Sequence, residues 1–223
     1  AALCYEYYKD IHNRNSINGS GGTIISVINV GESFENAFWN GKLMAYGNGG
    51  FCFQPLAKGL DVAGHEMTHG VISNSAGLIY EFQSGALNES YADIFACCID
   101  NDDWKIGEDI SNTVCFPSGA LRDLEDPNQG TTVGGGGWQP KKMSEFQIMD
   151  ISQDQGGVHV NSGIPNHAFY LFSIAITRDT AEKIFYHALT KYLTASSKFI
   201  DQRRAVIQSC KDLYPDADEY VKQ

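Results

Sequence analysis

The sequence predicts an α+β fold with two lobes, a β-containing lobe over residues 1–60 and a mainly helical lobe over residues 61–223. Short β-branched runs bounded by glycine lie before residue 60, and long stretches with apolar residues at helical spacing begin at Asp61. With 43% hydrophobic and 19% charged residues, a chain of 223 residues can bury a sizeable core. We expect a cleft near residue 60, because ligand sites commonly form where two lobes meet.

The first lobe combines one helix with short strands. Aromatic residues at a helical period predict a helix over residues 3–12. Residues 22–30 are β-branched and bounded by glycine, which predicts a strand. Residues 37–39 and 42–46 are predicted to form a hairpin around Asn40-Gly41.

The second lobe is predicted to be mainly helical. Apolar residues at helical spacing predict helices over residues 62–75, 85–99, 163–176, 181–192 and 200–214. Residues 111–155 are irregular and rich in glycine, and the run of glycines at residues 134–137 predicts a flexible loop.

The net charge restricts the partners. Lys and Arg number 16 and Asp and Glu number 27, so the chain carries a net charge of −11. This charge repels phosphate backbones and anionic lipids and favours cations, so we expect neither a nucleic-acid nor a membrane partner. No stretch approaches the roughly 18 consecutive apolar residues of a membrane-spanning helix.

The six cysteines leave the disulfide pairing and the compartment open. The sequence contains no CxxC pair, and the count is low for a fold built on disulfides. Cys97 and Cys98 are neighbours on a predicted helix, where they face different directions. We therefore interpret most of the cysteines as buried thiols.

The sequence His65-Glu66-Met67-Thr68-His69 lies within a predicted helix. Because four residues separate the histidines, their imidazoles lie on one face about one turn apart, close enough to share a tetrahedral metal ion. Glu66 then lies beside that ion. Chance alone would place the pattern His-Glu-x-x-His in roughly one chain of this length in a hundred, so the motif needs further support.

A second predicted helix offers a third ligand. Glu89 follows His69 at a spacing that lets an antiparallel helix bring its carboxylate to the metal. Asp93, one turn later on the same face, is positioned to accept the second ring N–H of a ligand histidine. Three protein ligands and an open position are typical of catalytic zinc, whereas structural zinc usually has four ligands that include cysteines. The alternative is a solvated helix face, which the flanking apolar residues disfavour.

His159 follows two glycines and precedes a predicted helix. A lone histidine in this position is more often a packed or capping residue than a catalyst. Here Asp154 is close enough in sequence to hold the ring and keep it cationic, which would give a donor aimed at developing negative charge.

Three segments together resemble the thermolysin family of neutral zinc metalloendopeptidases: HEMTH at residues 65–69, GLIYEFQSGALNESYAD at residues 77–93 and DQGGVHVNSGIPNHAFYL at residues 154–171. YEYYKDIHNRNSING at residues 5–19 and NAFWNGKLMAYGNG at residues 36–49 resemble the segments upstream of the zinc helix in that family. The segments GIPNHAF and QPKKMSEF are more similar to the protealysin-like branch of this family. Family members usually carry several tens of residues of β-structure before the region of Tyr5, so we expect the N-terminal lobe to be partial.

The resemblance implies roles for the residues around the metal. One zinc ion would be held by His65, His69 and Glu89. Glu66 would be the general base that takes a proton from zinc-bound water and passes it to the leaving amine. The resemblance also implies that the tetrahedral oxyanion accepts hydrogen bonds from His159 and Tyr80, with Asp154 orienting His159.

The resemblance implies substrate contacts as well. Asn36 and Ala37 match the segment that binds the substrate backbone in an extended pose, and Arg122 matches the arginine that contacts a substrate carbonyl. The apolar S1′ pocket would be lined by Phe53, Leu56, Val62 and Leu121. This implies cleavage on the amino side of large hydrophobic residues, although each of these side chains could instead be ordinary core.

Calcium is a second implied cofactor. The acidic ligands of the main calcium site of the family are matched by Asp61, Asp100, Asp103 and Glu108, and hard carboxylates suit that ion. Where members with two calcium ions carry a further Glu, this chain has Lys105, so we expect at most one ion. The alternative is a solvated acidic face.

The leading hypothesis is a zinc endopeptidase that acts on peptide or protein substrates. An inactive fragment or pseudopeptidase that serves as a binding or inhibitory module is the alternative, motivated by the missing upstream segment. A structural zinc protein is disfavoured by the lack of a fourth ligand. A propeptide is a possible further partner, and secretion is the expected localisation, with the periplasm or cytoplasm as alternatives.

Overall fold

The computed structural model describes residues 1–130 and 137–222. Helices predominate and the strands are few and short, which confirms the predicted α+β class. Of the predicted glycine loop at residues 134–137, only Gly137 lies among the described residues. None of the described helices is both long and apolar enough to cross a membrane.

The first lobe contains the predicted helix and a small sheet. Its elements are α1 (Ala2–His12), β1 (Ser26–Val30), β2 (Ala37–Trp39) and β3 (Met44–Gly47). The strand order is β1-β3-β2, with β2 antiparallel and β1 parallel to β3. The predicted hairpin is therefore confirmed, and Gly41 at its turn has a positive φ of 92°, which favours glycine.

The predicted helices of the second lobe are all present within three residues of their expected bounds. They are α2 (Leu60–Ser73), α3 (Phe82–Ile99), α5 (Gly163–Ile176), α6 (Arg178–Lys191) and α7 (Phe199–Leu213). A short helix, α4 (Asp154–Asn161), was not expected. Its residues Gln155 to Gly157 have positive φ values, so no regular helical period runs through it.

Two further strands interrupt the region after α3. β4 (Lys105–Ile106) and β5 (Arg122–Asp123) form an antiparallel pair. Each is two residues long, which is too short for an alternating apolar pattern to be recognised in the sequence.

The core is centred on α3. Every residue from Gly85 to Cys98 is buried, so this helix has no solvent-facing side over that span. α2 lies close to it at Gly64, where a Cβ atom would be 3.0 Å from Ile99 Cδ1 and 3.3 Å from Ala96 Cα. A larger residue at Gly64 would therefore require Ile99 or the backbone of α3 to shift by a few tenths of an ångström.

α1 connects the first lobe to the same core. Tyr8 is 1% exposed, and its hydroxyl lies 2.6 Å from Thr68 Oγ1 on α2. On the other face of α2, a Cβ atom at Gly70 would lie 2.7 Å from Ile17 Cγ2 and 3.4 Å from Trp39 Cζ2. α2 is therefore packed tightly between the sheet region and the helical core.

The cysteines are mostly buried thiols, as expected. Buried thiols are found at Cys4, Cys97, Cys98 and Cys210. The other two form a disulfide, Cys52–Cys115, across a sequence separation of 63. The sequence alone offered no spacing pattern that would select this pair.

Candidate active site

A cleft of about 890 Å³ runs beside α2. Nearly all the residues that the sequence assigned to zinc, catalysis or substrate binding line it: Asn36, Ala37, Phe53, Leu56, Val62, His65, Glu66, His69, Tyr80, Glu89, Leu121, Arg122, Asp154 and His159. Asp93 lies behind this surface and is fully buried. Residues far apart in the sequence thus converge on one surface.

The two histidines of α2 point at a common position. His65 Nε2 and His69 Nε2 are 3.0 Å apart. Each Nδ1 faces an oxygen on α3: that of His65 lies 2.8 Å from Asp93 Oδ1, and that of His69 lies 2.8 Å from Asn88 Oδ1. Because those oxygens accept an Nδ1–H hydrogen, both neutral rings present an unprotonated Nε2, which is the form that binds a metal.

Glu89 from α3 faces the same position. It is 1% exposed. Its Oε2 lies 3.5 Å from His65 Nε2, and its Oε1 lies 3.4 Å from His69 Nε2. Burial favours the neutral form of this carboxyl, but the positive charge of the nearby His159 opposes it, and the pKa falls from 4.5 to about 2. Oε1 accepts a hydrogen bond from Tyr80, whereas Oε2 has no such partner among the described residues.

These residues fit a zinc ion. One ligand atom from each of His65, His69 and Glu89 lies within 4.8 Å of the others. Two imidazole nitrogens and one oxygen of the buried Glu89 carboxylate form a donor set that suits Zn²⁺ and leaves a coordination position open. One oxygen of this carboxylate, Oε2, has no hydrogen-bond partner among the described residues.

Asp93 accepts hydrogen bonds from several side chains behind the histidines. Its carboxylate accepts from His65 Nδ1 at 2.8 Å, from Arg122 Nε and Nη2 at 2.8 and 2.7 Å, and from Asn166 Nδ2 at 2.9 Å. Burial disfavours its charge, but Arg122 and the hydrogen bond from His65 hold its pKa well below the usual range. A fully buried charge is thereby paired and hydrogen-bonded on both oxygens.

Two residues of this network had no predicted role. Asn88 orients His69, and Asn166 on α5 orients Asp93. Asn88 adjoins Glu89 in the sequence, and Asn166 is one of the few polar residues of a mainly apolar helix. These positions are the only sequence signals that could have identified them.

His159 occupies the opposite side of the proposed metal position. Its Nδ1 lies 2.5 Å from Asp154 Oδ1, and its Nε2 lies 3.1 Å from the Tyr80 hydroxyl and 3.5 Å from Glu89 Oε1. The charge of Glu89 raises the pKa of His159, and the Asp154 hydrogen bond adds to this against the effect of burial, so that the pKa reaches about 9. At neutral pH the ring is therefore cationic and can donate from Nε2.

The chain reaches this arrangement through a left-handed turn. Asp154, Gln155, Gly156 and Gly157 have φ values of 51°, 46°, 84° and 82°. The turn folds Asp154 back so that its Oδ2 also accepts from the His159 backbone N–H at 2.8 Å. At Gly156 a Cβ atom would lie 2.3 Å from Phe82 Cδ1, so a larger residue would push this ring away.

Glu66 is a buried carboxylate at the floor of the cleft. It is 6% exposed, lines the cleft beside His65, and its Oε2 has no hydrogen-bond partner within the described part of the chain. A carboxylate in this position is free to exchange a proton with a group bound in the cleft.

A second acidic cluster joins the start of α2 to the end of α3. Asp61, Asp100 and Glu108 have oxygens within 4.8 Å of one another. Burial and, after it, the charge of the neighbouring Asp61 raise the pKa of Glu108 from 4.5 to about 7. Asp61 is 1% exposed, and its Oδ1 is without a hydrogen-bond partner among the described residues. Three close carboxylates fit a hard cation such as Ca²⁺.

Asp103, which the family resemblance grouped with these ligands, is not among the three carboxylates whose oxygens lie within 4.8 Å of one another. Its Oδ1 accepts a hydrogen bond from the Lys105 backbone N–H at 2.7 Å, at the turn before β4. A role for Asp103 in a calcium site stays a prediction.

Replacing Asp93 with Asn tests whether this carboxylate orients His65 for zinc binding. An amide at residue 93 would direct its own N–H₂ group at donors from His65, Arg122 or Asn166, so the His65 ring should lose its fixed orientation. We expect the zinc dissociation constant, measured by competition with a chromophoric chelator, to rise about 10- to 100-fold. Asp126→Asn, which removes a surface partner of Lys141, is the matched control and should leave the constant unchanged. Unchanged affinity in a folded Asp93→Asn protein would contradict this role.

Comparison with known families gives two adjoining matches. Residues 1–73 match the model of the thermolysin metallopeptidase catalytic domain, and residues 76–223 match that of the thermolysin metallopeptidase alpha-helical domain.

Named relatives agree with these matches. Bacillolysin of Brevibacillus brevis is 46% identical over 225 residues, an alignment that covers 96% of this chain and 41% of the relative. Thermolysin of Alicyclobacillus acidocaldarius subsp. acidocaldarius is 42% identical over 237 residues, covering 99% of this chain and 42% of the relative. The chain thus spans about two fifths of the length of these two proteins.

A solved structure shares the fold. The precursor of protealysin, a metalloproteinase from Serratia proteamaculans, superposes with a TM-score of 0.90 at 32% sequence identity, covering 99% of this chain and 73% of that one. Family models that together match nearly the whole chain, the relatives and this structural similarity lead to one conclusion. The chain belongs to the thermolysin family of metallopeptidases.

Proposed function

We propose that this protein is a zinc-dependent endopeptidase that cleaves peptide bonds on the amino side of large hydrophobic residues. The observation that carries the proposal is the convergence of His65 Nε2, His69 Nε2 and a buried Glu89 oxygen on one position in an open cleft. Membership of the thermolysin family supports it, as do relatives named bacillolysin and thermolysin.

Zinc, when bound, would polarise the scissile carbonyl and lower the pKa of a coordinated water. Glu66 would accept the proton of the attacking water on its carboxylate and pass it to the leaving amine nitrogen. Its burial keeps competing solvent away from that carboxylate.

His159 and Tyr80 would stabilise the negative charge that develops on the carbonyl oxygen. The cationic ring of His159 donates its Nδ1–H to Asp154, and its Nε2–H, which lies 3.1 Å from the Tyr80 hydroxyl, would donate to the oxyanion once substrate is bound. The Tyr80 hydroxyl donates to Glu89 in the structure and would turn its hydrogen to the same substrate oxygen. Donors that are already in place before charge develops stabilise the transition state more than the ground state.

The remaining cleft residues would bind the peptide. Asn36 and Ala37, at the start of β2, would pair with an extended substrate backbone. Arg122 is held by Asp93 through Nε and Nη2, so its Nη1 is proposed to contact a substrate carbonyl.

An apolar wall would take the large side chain that follows the scissile bond. Its residues are Phe53, Leu56, Val62 and Leu121, which all line the cleft. The inactive-module alternative has no observation in its favour, because every group that the proposed reaction needs lines the cleft.

We also propose a propeptide partner and a location outside the cytoplasm. The similar protealysin structure is described as a precursor, which supports a propeptide. The Cys52–Cys115 disulfide supports an oxidising compartment, since cytosolic thiols are kept reduced.

Replacing Glu66 with Gln tests the reaction. The amide cannot accept the proton, so kcat for an internally quenched peptide with a central Leu should fall by about 10²- to 10⁴-fold. Zinc should remain bound at one ion per chain, because Glu66 is not a proposed ligand. Glu6→Gln on the exposed face of α1 is the control and should retain full activity. Retained activity in Glu66→Gln, or a wild type that binds no zinc, would contradict the proposal.

Calcium binding should depend on pH through Glu108. Its folded pKa of about 7 lies above the ordinary 4.5, so between these values the folded state binds more protons than the unfolded state. Without calcium, the free energy of unfolding should therefore fall as pH rises through that window. Calcium should then raise the thermal midpoint more above pH 7 than near pH 4.5, and Glu108→Gln should abolish most of that difference.

Asp10→Asn on the exposed face of α1 is the control for the calcium experiment and should behave as the wild type. A calcium-induced shift that is absent, or equal at both pH values, would rule out this site.

A further inference from the structure

The Cys52–Cys115 disulfide lies at the outer edge of the apolar wall. Cys52 directly precedes Phe53, which lines the cleft. Cys115 directly precedes Phe116, which packs on Phe53 with ring centroids 4.9 Å apart. Phe116 is 7% exposed, so it supports the Phe53 ring as a buried neighbour.

Two chain segments meet at this disulfide. We name them the first wall segment, residues 51–54, and the second wall segment, residues 110–121. The Gln54 backbone N–H donates to Ile110 O at 2.8 Å, and the Asn112 backbone N–H donates to Cys52 O at 2.8 Å. Because Phe53 comes from the first segment and Ile110 and Leu121 from the second, this side of the cleft is shared between them.

The inner side of the first wall segment is fixed independently of the disulfide. Glu35 Oε1 accepts from the backbone N–H groups of Cys52 and Phe53, at 2.5 and 3.1 Å. The start of the loop after β4 is likewise tied to α2, where Gly107 N–H donates to Asp61. The hydrogen bonds of His65, His69 and Glu89 to Asp93, Asn88 and Tyr80 involve no residue of either wall segment.

The outer edge of the wall is held, besides the disulfide, by hydrogen bonds that include one from Asn112 Nδ2 to Phe51 O at 2.8 Å. Phe51 and Val114, which flank the two cysteines, are 68% and 66% exposed, and neither wall segment contains a helix or a regular strand. Each hydrogen bond in such a solvent-exposed position stabilises the edge only weakly, because water competes for both partners. The disulfide is the covalent connection across this edge.

We propose that the Cys52–Cys115 disulfide determines substrate selectivity by holding Phe53 in the apolar wall. Both cysteines are thus positioning residues that act through Phe53 and do not touch the reacting atoms. This inference rests on the proposed endopeptidase activity. It adds that the disulfide shapes the pocket for a large apolar side chain.

The test uses the double variant Cys52→Ala/Cys115→Ala. Two internally quenched peptides are compared that differ only in Leu or Ala after the scissile bond. An apolar pocket discriminates such side chains by differential packing, so the Leu/Ala ratio of kcat/KM should fall about tenfold, mainly through a higher KM for Leu. Zinc content should stay at the wild-type value.

Hydrogen exchange provides a readout that does not require activity. The amides of Gln54 and Asn112, which bridge the two wall segments, should exchange faster in the double variant. The amides of α2 should be unchanged. Cys210→Ala on α7 is the matched control, since it removes a buried thiol far from the wall and should alter neither the ratio nor these amides.

Phe116→Leu keeps the disulfide and removes part of the support of Phe53, so it tests the inference even if the double variant fails to fold. It should lower the Leu/Ala ratio by a smaller factor. An unchanged ratio in a folded double variant, or in Phe116→Leu, overturns the inference while the proposed function stands. A zinc-loaded wild type that cleaves neither peptide instead overturns the proposed function.

Discussion

The burial of carboxylates around α2 and α3 is the constraint on which the rest of the structure depends. An ionised carboxylate removed from water costs several kcal/mol unless it is paired and hydrogen-bonded. Asp93 meets this requirement through a histidine of α2, an arginine of β5 and an asparagine of α5. Four elements must therefore pack around one charge, and that packing fixes the orientation of His65.

Glu89 is a different case, since its charge is only partly compensated. Tyr80 donates to Oε1, which also faces His69 Nε2, while Oε2 faces His65 Nε2 and has no hydrogen-bond partner among the described residues. The same arrangement that makes this carboxylate costly to bury makes it a good metal ligand. The cationic His159 across the cleft adds compensation that also suits a developing oxyanion. Stability and the proposed chemistry thus depend on the same electrostatic balance, and the net charge of −11 is consistent with a protein that attracts cations.

Much of this could be predicted from the sequence, because helical periodicity and ligand spacing are local. The helix around His65 and His69 and the later helix with Glu89 and Asp93 follow from a period of 3.6 residues. Non-local features could not be predicted. No spacing rule selects Cys52 and Cys115, and the partners of His69 and Asp93 emerge only when α3 and α5 are packed. Asp103 was grouped with the calcium ligands by the family resemblance, and only the packed structure shows that its Oδ1 accepts from the Lys105 backbone N–H.

X-ray absorption spectroscopy at the zinc edge, on protein loaded with one zinc per chain, tests the central claim most directly. The account predicts two imidazole nitrogens and oxygen scatterers, all at about 2.0–2.2 Å, with at least one oxygen that an added anionic inhibitor displaces. Sulfur scattering at about 2.3 Å, or a fourth protein ligand that leaves no exchangeable position, would contradict it.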